Sequence, residues 1–232
     1  LFRSDVYKKI LANQYDDSAK DEEQEETYFA RDFEKKFFSE ETNKMFVKTF
    51  MDNALRDPIT GEIGKGIIFC VSRKHAAKIT QLLNVYADMM FPGKYCSDFA
   101  MQITSDVMNA QTYTINFQNN NLSGTTSFLE GYKSSKTRIC VTVGMMTTGY
   151  DCEDLLNIGL LRPIFSPTDF IQIKGRGTRK HDFIFKERNG GQEIVHKYPK
   201  ETFKLFDFFG NCEYFEEKFD YDEVLALPRF QG

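Results

Sequence analysis

The chain has 232 residues, enough for one large domain with appendages and a real core. Its 41% hydrophobic content, with 23 Phe and 11 Tyr, excludes a disordered chain and predicts an aromatic-rich core. The formal net charge of −4 excludes a protein that coats nucleic acid by bulk electrostatics, although Lys174, Arg176, Arg179, Lys180 and His181 form a local basic strip.

In chain order, Val6, Ile10 and Leu11 predict a short amphipathic helix within residues 1–15. The run DDSAKDEEQEE at 16–26 is of the solvated-linker type. From Thr27 to Leu55, Phe29, Phe33, Phe37, Phe38, Met45, Phe46, Val47, Phe50 and Met51 recur at three- and four-residue spacing. They predict two helices, the second capped near Glu41 or Thr42. Asp57-Pro58 and Gly61 to Gly66 form a turn region. Gly66 to Val71 reads as a buried strand that ends in Ser72-Arg73, and a helix follows from about Lys74 to Met90.

Phe99 to Thr104 is a further strand, delivering Thr104-Ser105-Asp106. Asn116 to Gly124 reads as a polar loop and Phe128 to Tyr132 as a short helix. The β-branched run Ile139 to Val143 is another buried strand, followed by a loop with Thr147, Thr148, Gly149, Tyr150 and Asp151. Ile158 to Leu161 is a second apolar run. Ser166-Pro167 opens a helix over Thr168 to Lys174, which is expected to end at Gly175-Arg176-Gly177-Thr178-Arg179. RNGGQ at 188–192 is a hairpin-like turn, TFKLFDFF at 202–209 a final strand, and Asn211 to Leu227 a terminal helix with a tail. Strands alternating with helices predict an α/β fold with a parallel sheet covered on both faces, preceded by a helical segment. Ligands in such sheets sit at the carboxyl ends of strands, so the polar loops there are the first place to look for chemistry.

The five cysteines form no C-x-x-C pair, which points to free thiols, no zinc and a reducing compartment. No signal peptide or long apolar span is present, so a cytoplasmic protein with no membrane partner is expected. Because the first residue is Leu1, the chain reads as an excised fragment of something larger. His75, His181 and His196 are scattered and read as structural or solvated.

TTGYD at 147–151 resembles motif V of superfamily-2 helicases, and QIKGRGTR at 172–179 resembles their motif VI, Q-x-x-G-R-x-x-R. The variant F-x-Q-x-x-G-R-G-T-R, preceded by R-P-x-x-S, looks most like the motor (R) subunits of type I restriction endonucleases. The strand–Ser–Arg–helix order at 66–90 resembles motif IV of the same family. The resemblance implies that residues 60–210 are the second RecA-like motor domain. Residues 1–59 would then be a helical linker and 211–232 an extension toward a following helical domain.

It further implies a set of roles. Arg176 and Arg179 would be the catalytic arginines, stabilising charge on a transferring phosphoryl group. Gly149, Asp151 and Gln172 would serve the nucleotide, Asp151 near the ribose hydroxyl. Ser72, Arg73, Thr104, Ser105, Thr147 and Thr148 would touch the DNA backbone. Structural alternatives stand beside these: surface arginines held in ion pairs, and an Asp151 that caps a helix. One departure from the family pattern is Gly144, where many relatives carry an acid.

The chain has no G-x-x-x-x-G-K-[ST] loop and no acidic Mg²⁺ box after a strand. It is therefore expected to supply half of an ATP site, with ATP and Mg²⁺ used by the full-length protein and neither bound by this fragment alone. The expected partners are double-stranded DNA, the first motor domain and nuclease domain of the same chain, and methylation and specificity subunits. Another superfamily-2 motor, of a type III restriction or repair system, and a non-enzymatic α/β interaction module remain as other readings.

Overall fold

The computed structural model describes residues 39–126, 129–144, 151–189 and 191–218. The expected helix at 1–15, the acidic run, the first helix of the 27–55 region, and Thr147, Thr148 and Gly149 lie outside those residues.

Ser39 accepts a hydrogen bond from the Thr42 N–H and opens α1 (Glu40–Asn53), which buries Phe46, Val47, Phe50 and Met51. β1 (Gly66–Cys70) leads to Ser72, whose hydroxyl caps α2 (Arg73–Met90) through the His75 N–H. Then come β2 (Ala100–Gln102), α3 (Ala110–Gln118), β3 (Ile139–Thr142), β4 (Asn157–Leu161) and α4 (Pro167–Gly177). The chain continues through β5 (Asp182–Asn189), β6 (Gln192–Pro199), β7 (Lys204–Asp207) and α5 (Asn211–Lys218).

Five strands form one sheet in the order β2-β3-β1-β4-β7, every neighbouring pair parallel. β1, β3 and β4 are buried along their whole length, which is why each reads as an unbroken apolar run rather than an alternating one. One face packs against α1 and α2, with Phe50 and Phe206 ring centroids 4.9 Å apart. The other packs against α3, α4 and α5, where Phe170 stacks on Phe215 at 4.7 Å. The parallel α/β sheet with helices on both faces is thus as the pattern required.

Three local expectations differ. Residues 110–118 are helical, so the start of the supposed Asn116–Gly124 loop belongs to α3. Within the expected helix at Phe128–Tyr132, the described residues 129–132 are instead a turn: Leu129 and Tyr132 form an antiparallel bridge around Gly131 at φ +78, a conformation only glycine takes freely. α4 runs through Gly175 and Arg176 to Gly177 rather than stopping before them. The weakly patterned region after Arg179 is a separate two-stranded hairpin, eight residues a side, closing at Asn189↔Gln192 as the RNGGQ turn suggested.

All five cysteines are free thiols, and burial pushes the Cys70 and Cys140 thiols well above their ordinary value. Among the described residues, no helix is long and apolar enough to cross a membrane.

Candidate functional site

The described candidate residues fall into two groups at opposite edges of the sheet. The first lies at the carboxyl ends of β1 and β2. Ser72 is half-buried and its Oγ is committed to capping α2. Arg73 is exposed, and its Nε lies 3.4 Å from Asp106 Oδ1 in the loop after β2. β3 sits between β1 and β2, so this pair links the loops that follow the two strands flanking β3.

Thr104 is buried and donates its hydroxyl to Asp106 Oδ1 at 2.6 Å. That bond lowers the Asp106 carboxyl, and the Arg73 guanidinium adds to the effect. What the loop presents outward is therefore Ser105 and Asp106 rather than Thr104. Gln102 was not singled out from sequence, yet its Nε2 bonds the Arg73 carbonyl at 3.2 Å and Thr104 Oγ1 at 3.4 Å, tying the two loops together. Only its place as the last residue of β2 could have pointed to it.

The second group is built by α4. Ser166 caps the helix through the Asp169 N–H, with Pro167 at the first position. Eleven residues at 1.5 Å each span about 16 Å, close to the length of a five-residue strand such as β4. The helix thus carries the chain back across the sheet. Gly177 ends up against the ring of Phe203, which immediately precedes β7; a Cβ at Gly177 would overlap that ring. The arginines consequently lie toward the amino-terminal edge, not at the strand carboxyl ends where sequence reasoning first looked.

Gln172 and Arg176, one turn apart, share a half-buried face of α4, while Phe170 and Ile173 face the core. Arg179 lies just past the helix end, and its Nε is 3.4 Å from Asp151 Oδ1, with the two side chains 52% and 49% exposed. Asp151 thus meets the motif VI end rather than standing apart from it. His181 Nδ1 lies 3.7 Å from Glu153 Oε2, and Lys200 Nζ donates to the Glu153 carbonyl at 2.9 Å. The segment beginning at Asp151 is therefore gripped from the far side by residues following α4. Among the described residues, no group of three or more His, Cys, Asp or Glu could hold a metal ion.

The chain is 28% identical over 195 residues, 83% of its length, to the type I restriction enzyme EcoAI endonuclease subunit of Escherichia coli. It is thus similar to type I restriction enzyme endonuclease subunits. The EcoKI endonuclease subunit of Escherichia coli strain K12 is 27% identical over 62% of this chain. These alignments cover 20% and 10% of the two relatives, so this chain spans about a fifth or less of their length. Among solved structures, a fragment assigned to the HsdR subunit of a type I restriction enzyme from Vibrio vulnificus YJ016 superposes with a TM-score of 0.46 at 23% identity. That superposition covers 92% of this chain and 32% of that one. No family profile matches the chain.

Proposed function

We propose that residues 60–210 form the second RecA-like motor domain of a type I restriction R subunit, with residues 1–59 leading into it and 211–232 leading out. In this reading the chain supplies half of an ATP site. Arg176 and Arg179 meet the phosphoryl group being transferred, Asp151 and Gly149 approach the ribose side of the nucleotide, and Gln172 shares the arginine face of α4. The observation that carries the proposal is the meeting of Arg179 with Asp151, two residues from separate motifs that converge on one accessible spot. An exposed ion pair of this kind is worth at most about 1 kcal/mol, so an incoming triphosphate can displace it at little expense.

The residues present fit a nucleotide delivered from outside, since both side chains are about half exposed. The phosphate loop and the Mg²⁺ ligands belong, in this reading, to the first motor domain. When bound, the Mg²⁺–nucleotide complex supplies the electrophilic phosphorus; this chain's part is to place guanidinium charge beside it. Ser72, Arg73 and Ser105 contact the backbone of double-stranded DNA at the opposite edge, with Thr104 and Gln102 holding that loop pair in place; Thr147 and Thr148 serve the same backbone. The complete subunit works in the cytoplasm with its nuclease domain and with methylation and specificity subunits.

The test is substitution in the full-length subunit. Arg176→Ala and Arg179→Ala are each expected to lower DNA-stimulated ATP turnover by about 10³-fold or more, the usual scale for arginine fingers. Circular dichroism of Arg179→Ala should stay unchanged, because that side chain is exposed. Turnover within threefold of the parent in both variants overturns the proposal and favours an interaction module.

A further inference from the structure

The segment 64–66, Gly-Lys-Gly, reads from sequence as the end of a turn, yet Lys65 is one of the most deeply buried charged residues, 2% exposed. Its Nζ donates to Asp154 Oδ1 at 2.8 Å and Oδ2 at 3.1 Å, and to the Phe117 carbonyl at 2.7 Å, while sitting 4.7 Å from the Phe117 ring centroid. Asn120 Nδ2 completes the ring of donors to Asp154 Oδ2 at 2.9 Å, and the Cys152 thiol lies 3.0 Å from Oδ1. Burial alone would raise the Asp154 carboxyl, but the Lys65 ammonium and the bonds from Cys152, Lys65 and Asn120 hold it down at about 2.

The backbone adds further points of attachment. The Lys65 carbonyl accepts from both Leu156 N at 2.9 Å and Asn157 N at 3.0 Å, and the Gly64 carbonyl accepts from Asn157 Nδ2 at 3.0 Å. The flanking glycines are what permit this approach. A Cβ on Gly64 would sit 2.5 Å from Leu156 Cδ1 and 2.8 Å from the Leu55 carbonyl, and one on Gly66 would sit 2.9 Å from Ile139 Cδ1. Gly64 to Gly66 thus form a cradle for residues 154–157, with the Lys65 side chain reaching one turn further, to the Cys152–Leu155 turn. Asp151 is the next residue before that turn.

We propose that Lys65 is a positioning residue for the nucleotide site, fixing the Cys152–Leu155 turn through Asp154 so that Asp151 is held opposite Arg179. This rests on the nucleotide reading given above and deepens it: the residue that sets the geometry of the site's acid lies before β1, remote in sequence from both motifs. Its influence passes through a buried pair, where two charges withdrawn from water are tolerated only in a well-satisfied geometry. A displacement of about 1 Å at a reacting site can lower rate by about 10²-fold.

The test is a double-mutant cycle in the full-length subunit, read as the KM for ATP in DNA-stimulated turnover. Asp151→Ala and Lys65→Met are each expected to raise KM about tenfold, and the double variant to be no worse than about twice the weaker single variant, because both remove the same contact. If the two effects multiply, Lys65 acts independently of Asp151 and the positioning role is overturned. If Asp151→Ala leaves KM unchanged, it is the nucleotide reading itself that falls. Should Lys65→Met fail to fold, Asp154→Asn, which keeps the side-chain shape, goes through the same cycle. Failure of both to fold overturns the proposal in favour of a purely structural pair.

Discussion

His75 carries one component of this chain's stability toward acid. Its ring is 4% exposed within α2, with Nε2 3.1 Å from Asn43 Oδ1 on α1. Burial, reinforced by the nearby charge of Lys78, lowers its pKa from 6.5 to about 3. The folded chain therefore resists a proton that the unfolded chain accepts, so stability is full above pH 6.5 and falls as pH drops toward 3. Between pH 7 and pH 4 this single ring should remove about 3 kcal/mol, a large part of a typical stability of about 5–15 kcal/mol.

Asp154, a strongly shifted carboxyl, behaves differently in that window. Its carboxyl at about 2, against 3.8 unfolded, gives stability that is lost only as pH falls below about 4. By pH 4 it contributes less than about 0.5 kcal/mol of loss. Urea unfolding at pH 7 and pH 4 separates the two groups. With a slope of about 1–3 kcal/mol per molar, a 3 kcal/mol loss moves the midpoint by about 1–3 M. His75→Gln, which does not titrate and can still reach Asn43, should lose about 3 kcal/mol less than the parent over the same interval. A variant that loses as much as the parent would show that the ring is not the proton acceptor.

Two more outcomes follow from the core, beside those for the arginines and Lys65. Arg138 is 1% exposed, its Nη2 3.4 Å from Asp57 Oδ2 and its Nε bonded to the Ile63 carbonyl at 2.7 Å. Arg138→Leu should cost about 3–5 kcal/mol in urea unfolding, as breaking one half of a buried pair does; a loss below 1 kcal/mol would mean that Tyr132 and the Ile59 and Thr60 amides satisfy Asp57 unaided. The two glycines of α4 should respond with opposite signs. Gly175→Ala meets nothing within 4 Å and should stabilise by up to about 1 kcal/mol, whereas Gly177→Ala meets the Phe203 ring and should cost about 1–3 kcal/mol. Equal effects in thermal melts would contradict the packing of α4 on Phe203.

The elements that were legible from sequence are those whose burial writes a local pattern. β1, β3 and β4 are covered on both faces and so appear as apolar runs, and α1 and α2 show their core stripes, although the cap of α1 is Ser39 rather than a residue near Glu41 or Thr42. α3 has only Ala110 and Phe117 buried and starts at Asn109 in a left-handed conformation without a side-chain cap, so neither stripe nor cap announced it. The extent of α4 was hidden for another reason: glycines argue against a helix locally, and only Phe203, across the fold, shows why Gly177 must be one.

Sequence alone determined the class of fold, the order of its main strands and the residue types at the candidate site, because hydrophobic period and motif chemistry are local properties of the chain. It could not determine which edge of the sheet each motif reaches, nor that Lys65 and Arg138 are interior. Those depend on partners far along the chain, Asp154 for one and Asp57 for the other, and on a helix just long enough to carry Arg176 and Arg179 from one edge to the other. A buried charge is tolerated only where its counter-charge is also brought in, and that pairing exists only once the chain has folded.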